Sequence, residues 1–343
     1  MRAALFKEMS KPLVIEPIAD PVPGPHDLIL KVKNCGICGS DLHMTEPTSI
    51  MPLALGSVMG HEFAGEVVGI GSAVKGLWKG GERVAGFPYI CCGDASPCMN
   101  TSFGTSMMCM KGVGVGLGQS HGAYAEYVRI GSNGAYRLPD SVSFREGALV
   151  EPLAVGLHAV DMAKMERGAT VLVIGAGPVG LAVMLWAKFL GARHVIVSER
   201  AETRRAFAAK FGATDAIDPA QPLVPQVEKI AGKAPDLIFE CVGAPGLIGQ
   251  TMMEAPRGGK IVIAGVCQQP DTIMPLLGIV KELNLQFVLG YRPADFDYVI
   301  AMIAADRIDV SEMITDIVDL DALPTAFEAL RKPVHQCKVM LEN

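Results

Sequence analysis

No apolar stretch in this sequence approaches the ~20 residues that a membrane-spanning helix needs. The longest, Val179 to Ala187, falls well short of that and follows a glycine-rich turn. No run of lysine or arginine occurs and the net charge is -6, so nucleic acid binding has no electrostatic footing. The N-terminus, MRAALFKEMSKPLVIEP, lacks both a long apolar segment and a small-residue cleavage site, so no signal peptide is expected. Nine cysteines are too few for a secreted disulfide scaffold of this length, and the number is odd; reduced thiols or metal ligands are expected instead. Disorder is excluded by composition, since half the residues are hydrophobic and only 19% are charged. A cytoplasmic globular chain of two domains remains, with no membrane contact, no internal repeat and no low-complexity tract.

Punctuation by Gly and Pro organises the first 150 residues into short strands. Leu28 to Lys33 alternates, and Glu66 to Ile70, Arg83 to Phe87 and Ala123 to Arg129 follow, which predicts a β-rich barrel or sandwich. Near residue 143 the texture changes, where Ser143 with Glu146 three residues later makes a capping box that opens a helix. Strands then alternate with helices. Val171 to Ile174, His194 to Val197, Asp236 to Glu240, Lys260 to Ala264 and Leu285 to Leu289 read as strands. Val179 to Leu190 reads as a helix stopped by Gly191, and Ala201 to Phe211 as one stopped by Gly212. This order predicts an α/β fold with a doubly wound parallel sheet covered by helices on both faces. After Gly290 the pattern is less regular and ends in Lys338 to Leu341, a final strand.

Gly175-Ala-Gly177-Pro178-Val179-Gly180 follows an apolar strand and opens a helix, the context in which GxGxxG points to a dinucleotide. Gly175 permits the tight turn, Gly177 lets the backbone approach a pyrophosphate, and Gly180 lets helix and sheet pack closely. The helix N-terminus offers unpaired N–H groups to the anion. Glu199 ends the next strand, where a carboxylate accepts hydrogen bonds from the ribose hydroxyls and repels a 2′-phosphate, favouring NAD over NADP. Arg200 and Arg204 pull the other way, since guanidinium groups can pair with that phosphate. Cys241, Val242 and Val266, which follow two later strands, complete the candidate cofactor set.

Two further segments carry metal chemistry: Cys35-Gly-Ile-Cys38-Gly-Ser40-Asp41-Leu-His43, and Gly60-His61-Glu62-Phe-Ala-Gly65 with Gly71 and Val74 beyond it. A catalytic zinc needs about three protein ligands and one open position, and thiolate, imidazole and carboxylate suit that mixed sphere. The pattern GHExxGxxxxxGxxV, with 22 residues between Cys38 and His61, resembles the zinc signature of the medium-chain dehydrogenase/reductase family. Glu151-Pro-Leu resembles the element found in its sorbitol, butanediol and threonine dehydrogenase-like branch.

The resemblance runs through essentially the whole chain. It implies a GroES-like catalytic domain formed by residues 1–150 and 290–343, with a Rossmann NAD-binding domain, 151–289, inserted between them. It makes Cys38 and His61 zinc ligands, leaves Glu62 and Glu151 as alternative further ligands, and gives Asp41 the task of orienting the ligand histidine. Ser40 and His43 match the family's proton-relay positions. Cys35 is not a family ligand and reads as a small buried hydrophobe. The implied reaction is reversible oxidation of a secondary alcohol or polyol by NAD, in a homodimer or homotetramer.

One family feature is damaged. Relatives hold a structural zinc with four cysteines, but Cys92, Ala95, Cys98 and Ser106 occupy those positions here, with Cys91 and Cys109 out of spacing. A closed structural site needs four ligands, so one zinc per chain is expected. Two rival readings are a zinc-free NADPH quinone or enoyl reductase of the same fold, and a non-catalytic nucleotide-binding protein. The former lack the Cys38/His61 pair.

Overall fold

Short strands separated by glycine and proline build the first of two units, Met1–Glu151 with Tyr291–Asn343. The computed structural model describes residues 1–50, 53–90, 112–332 and 336–343. The central strand of this unit, Asp27–Gly36, pairs antiparallel with Glu62–Ile70, Tyr127–Gly131 and Lys338–Glu342. Arg83–Gly86 and Ala135–Arg137 extend the sheet beyond Glu62–Ile70, and Ile314–Val318 extends it beyond Lys338–Glu342. Arg2–Phe6 joins Val14–Pro17 and Ser57–Val58 in a separate three-stranded sheet. The core between them buries Phe6, Leu28, Phe63, Tyr124 and Phe327.

Register decides which chemistry meets. Gly36 lies opposite Glu62 on one side and opposite Met340 on the other, so residues near both ends of the chain share one corner of the sheet. A larger residue there would push on this corner: a Cβ on Gly36 would stand 2.2 Å from Glu62 Oε2 and 3.1 Å from Lys338 Cδ, so both side chains would have to shift.

Pro152–Gly290 forms the second unit. Six parallel strands run in the spatial order Asp215–Ile217, His194–Ser198, Thr170–Ile174, Leu237–Glu240, Lys260–Ile263 and Asn284–Phe287. Numbered along the chain this is 3-2-1-4-5-6, the doubly wound order of dinucleotide-binding folds. The five residues of Thr170–Ile174 are all buried, as expected of a strand covered on both faces.

Helix ends follow the expected punctuation. Pro178–Phe189 stops before Gly191, whose φ of 101° favours glycine. The segment ending at Gly212 is tighter than the sequence suggests: an α-helix over Glu202–Ala208 passes into a 3-10 turn, Ala209–Phe211. Ser143 and Glu146 form the capping box of Phe144–Ala163, with Glu146 N–H donating to Ser143 Oγ at 3.2 Å and Ser143 N–H to Glu146 Oε2 at 2.7 Å. That helix carries Pro152 within it, immediately after Glu151. The region after Gly290 is more ordered than its sequence texture implies, with helices Pro293–Ala304 and Leu323–Ala329 and strand Ile314–Val318. The strand expected from Ala123 is Tyr127–Gly131, because Ala123 and Tyr124 instead bond to the backbone of Gly60 and Met59.

Candidate metal centre and dinucleotide turn

The turn after Asp27–Gly36 places Cys38 at the N-cap of a short helix, Gly39–Met44. Asp41, in its first turn, accepts the Cys38 backbone N–H at 3.1 Å and the Tyr124 hydroxyl at 2.5 Å, both on Oδ2. Its other oxygen lies 3.2 Å from His61 Nδ1. Asp41 is therefore fixed on one side and aimed at the imidazole on the other, and the Nδ1 contact leaves Nε2 as the nitrogen free for other chemistry. Donor atoms of Cys38, His61 and Glu62 all lie within 4.8 Å of one another.

Electrostatics tie this cluster together. Burial disfavours an imidazolium at His61, but the charges of Asp41 and Cys38 outweigh it and hold the pKa well above the ordinary histidine value. Burial raises the Tyr124 phenol, and Asp41 adds to the effect, so the hydroxyl stays a donor. Lys338 Nζ donates to both oxygens of Glu62, at 2.7 and 2.6 Å, and to the Ile37 carbonyl at 3.1 Å. Both residues are 1% exposed, and although burial works against the ammonium, the Glu62 charge holds the Lys338 pKa above its usual value. Glu151 is buried, and its pKa is pushed up to about 7 by burial, with His61 and Tyr291 pulling it down and Glu62 pushing it up.

The donor chemistry fits zinc. A thiol, an imidazole steered by a carboxylate and one or two carboxylates supply three or four ligands of the types a catalytic site uses. Ser40 Oγ lies 3.5 Å from His61 Nε2. His43 is about half exposed, and among the described residues its partner is Glu46, at 3.8 Å. Cys35 is fully buried, and burial raises its thiol pKa well above normal. The cysteine lobe, with Cys91, Cys92, Ala95, Cys98, Ser106 and Cys109, lies outside the described residues.

In the parallel-sheet unit the glycine turn has a separate logic. Gly175 has φ of 99°, and a Cβ there would meet Val242 Cγ2 at 2.6 Å. A Cβ on Gly180 would stand 2.0 Å from the Gly175 carbonyl oxygen, whereas one on Gly177 would meet nothing within 4 Å. Gly175 and Gly180 are thus demanded by packing, and Gly177 opens free space at the N-cap of the helix that begins at Pro178. That space, beside the N–H groups of the first turn, suits a pyrophosphate.

Glu199 clamps this turn: Oε2 accepts the Ala176 N–H at 3.0 Å and Oε1 the Ala201 N–H at 2.9 Å. Arg200 is exposed and Arg204 half-buried. Cys241 is half-buried, and Val242 and Val266 are half-exposed, at 50% and 52%. Gly243 lies between the two valines' segments, since its Cβ would meet the Val266 backbone at 2.6 Å.

Four residues with evident roles carry no local sequence signal. Lys338 holds Glu62 from 276 residues away, Tyr291 lies against Glu151, and Tyr124 fixes Asp41. Glu240 accepts the Val242 and Gly243 N–H groups at 2.6 and 2.9 Å and so shapes the turn after its strand. A lysine in a strand otherwise fit for burial, Lys338-Val-Met-Leu, is the one hint the sequence offers.

A GroES-like β unit carrying a Cys/His/Glu cluster, together with a doubly wound unit carrying a dinucleotide turn, defines an oxidoreductase of the alcohol dehydrogenase type. The family profile for the alcohol dehydrogenase GroES-like domain matches residues 24–140, and that for zinc-binding dehydrogenase matches residues 178–305. D-xylulose reductase A of Aspergillus niger is 33% identical over 322 residues, covering 91% of this chain and 89% of the relative. Among solved structures, 2R,3R-butanediol dehydrogenase from Bacillus subtilis aligns with a TM-score of 0.88 at 30% identity, over 100% of this chain and 99% of that one. A protein from Sinorhizobium meliloti described as a zinc-binding dehydrogenase, bound to NADP, aligns with a TM-score of 0.87 at 30% identity over the same shares. The chain belongs to the zinc-type medium-chain alcohol/polyol dehydrogenase family.

Proposed function

We propose that this chain interconverts a secondary alcohol and its ketone with NAD as hydride acceptor, and that its substrates carry a second hydroxyl beside the reacting one. The observation that carries the site assignment is the convergence of Cys38, His61 and Glu62 donor atoms within 4.8 Å. Cys38 and His61 would hold the zinc, with Glu62 or Glu151 as the further protein ligand. Glu62 stands within reach, but both its oxygens are engaged by Lys338. Bound zinc supplies Lewis-acid chemistry that makes an alcohol proton easier to lose.

The chain's own residues do the rest. Asp41, fixed by Tyr124, holds the His61 ring in one tautomer. Ser40, beside His61, takes the alcohol proton as it hands on its own, and half-exposed His43 passes a proton to water. The glycine turn, with Pro178 and Val179 opening its helix, holds the pyrophosphate, while Glu199 faces the adenosine ribose. Arg200, Arg204, Cys241, Val242 and Val266 border that cofactor. Hydride transfer to the nicotinamide is the cofactor's own chemistry.

The substrate class rests on the relatives' names: D-xylulose and 2,3-butanediol both place a hydroxyl next to the reacting carbon. The named test is a screen of vicinal diols, sugar alcohols and simple secondary alcohols, each with NAD and NADP, alongside zinc analysis of the purified protein. The highest kcat/KM is expected for a diol or polyol with NAD, at one zinc per chain. Undiminished turnover after zinc removal would overturn the metal assignment, and a stoichiometry near two would overturn the single-zinc assignment.

Self-association as a homodimer or tetramer is supported by the last strand of the parallel sheet. Asn284–Phe287 pairs with Lys260–Ile263 on one side, and Phe287 and Leu289 beside it are 61% and 62% exposed. An edge strand with apolar neighbours is a ready template for a second copy. Among the described residues, Cys35, Cys38, Cys241, Cys267 and Cys337 form no disulfide, which suits the reducing cytoplasm. No helix among the described residues is long and apolar enough to cross a membrane.

A further inference from the structure

The parallel-sheet unit has a second concavity, at the other end of its strands. The glycine turn follows the C-terminal end of Thr170–Ile174, whereas a cavity of about 480 Å³ is lined by Ala169, Leu237 and Lys260, at the strands' N-terminal ends. Its volume falls within the ~300–1,000 Å³ usual for small-molecule sites. All its walls belong to Pro152–Gly290.

Charge sets this cavity apart from the rest of the chain. Lys164, Arg167, Lys233, Arg257 and Lys260 line it, against two carboxylates, Glu166 and Asp236, in a protein whose net charge is -6. Two of the five cations are already engaged. Lys260 Nζ donates to the Ala163 carbonyl at 2.7 Å, and Lys233 Nζ pairs with Asp236 at 2.6 Å. Asp236 also accepts the Thr170 N–H at 2.8 Å, so its charge is absorbed locally, and Lys233 with that backbone contact lowers its pKa although burial opposes them. Among the described residues, Lys164, Arg167 and Arg257 have no ion pair or side-chain hydrogen bond. Three unpaired cations around one concavity repel each other and raise the local concentration of anions. Two of them are arginines, whose planar fork matches phosphate oxygens in pairs.

We propose that this cavity is a second binding site, separate from the dinucleotide turn, for a small molecule bearing two or more phosphate groups. One phosphate group engages Arg167 and Lys164, and a second engages Arg257. Glu166, on the same wall, opposes the ligand and limits its affinity. An inorganic diphosphate and a nucleoside diphosphate share this recognition chemistry, so the two are tested in parallel.

The test uses the full chain with NADH held saturating, so that the glycine turn is occupied, and calorimetric titration with pyrophosphate, then ADP, at fixed ionic strength. The Arg167→Gln/Arg257→Gln double variant should weaken pyrophosphate binding at least ~10-fold, the loss of two charge-assisted contacts. Glu166→Gln, which removes a repelling charge and leaves the cations in place, should tighten binding about threefold. Phenylglyoxal labelling read by peptide mass spectrometry locates the site without reference to turnover. Pyrophosphate should shield Arg167 and Arg257 from modification. Tighter binding of ADP than of pyrophosphate, with the same shielding, assigns the nucleotide form; equal or weaker binding assigns the inorganic one. Unchanged affinity in the double variant, or labelling of both arginines at the free rate under saturating pyrophosphate, would overturn the proposal. Affinity that follows ionic strength alone, equal for chloride and pyrophosphate, would overturn it as well.

Discussion

The metal centre and the dinucleotide turn are built in opposite ways. In the first, side chains do the work, and they arrive from Cys38–Asp41, His61–Glu62, Tyr124, Glu151, Tyr291 and Lys338, segments spread over almost the whole chain. The buried charges of Asp41, Glu62 and Lys338 each have an opposite charge or a hydrogen-bond partner, because an unpaired ion in such a place is too costly to keep. In the second, one contiguous stretch of backbone makes the site, and its side chains matter mostly by being absent. Substitution should therefore fail differently at the two places: by lost ligands and orphaned charges at the first, by steric collision or filled space at the second.

The largest effect expected is on turnover. Cys38→Ser or His61→Ala should lower kcat/KM by at least ~10³-fold, since Lewis-acid stabilisation is worth several kcal/mol and each ~1.4 kcal/mol is tenfold. The cofactor Kd, measured by fluorescence titration, should stay within about threefold, because the glycine turn is built without either residue. A parallel collapse of cofactor binding would mean that the two sites are not independent.

Next in size is the buried ion pair. Lys338→Ala leaves the Glu62 carboxylate alone in a site that is 1% exposed, and should cost ~3–5 kcal/mol of stability, read by urea denaturation. Lys338→Arg keeps the charge and should retain most of that. Equal losses for both variants would show that shape, not charge, is what Lys338 contributes.

How far each site could be read from sequence follows from the same contrast. The dinucleotide turn is local: strand, three glycines, helix and a carboxylate at the next strand end all lie within residues 170–199, and the structure assembles them as one unit. The metal cluster is legible where a local motif carries it, at Cys38, Ser40, Asp41, His43, His61 and Glu62, and at Glu151 through the Glu151-Pro-Leu element. Lys338 and Tyr291 reach it through strand register and chain return, which no local periodicity encodes. Pro293–Ala304 has no Ser or Thr cap, but Pro293 at its first position and Asp295 in its first turn are start signals that the irregular texture after Gly290 obscures.

The glycines give a sharper division within the turn itself. Gly180→Ala drives a Cβ to 2.0 Å from the Gly175 carbonyl, and backbone cannot swing aside as a side chain can. A stability loss of about 1–3 kcal/mol is expected, together with loss of cofactor binding. Gly177→Ala meets nothing within 4 Å, so stability should hold while cofactor affinity falls, the methyl occupying space meant for the pyrophosphate. Thermal unfolding and cofactor titration on the same two variants separate these outcomes. Weakened folding in Gly177→Ala would contradict the open-space assignment.

Glu199 is where the two modes of construction overlap, and its effect should be the smallest and the most informative. Its carboxylate, proposed to face the ribose, is also a backbone clamp, since the Ala176 and Ala201 N–H groups donate to its two oxygens. Neighbouring Arg205 is engaged elsewhere, donating to the Glu199 and Arg200 carbonyls at 2.6 and 2.8 Å and lying 3.7 Å from Asp218. Arg200 is exposed, so it is the cation best able to turn toward a 2′-phosphate once the carboxylate is gone. Glu199→Ala should then move the NAD/NADP ratio of kcat/KM by about tenfold toward NADP, a change of ~1.4 kcal/mol. The Arg200→Ala variant in the Glu199→Ala background should reverse most of that gain. The S. meliloti neighbour is bound to NADP, so the fold alone does not dictate the choice, and the proposed function assigns it to the carboxylate. A higher kcat/KM with NADP in the unmodified enzyme would show that Glu199 acts only as a clamp for the turn, with no part in choosing the cofactor.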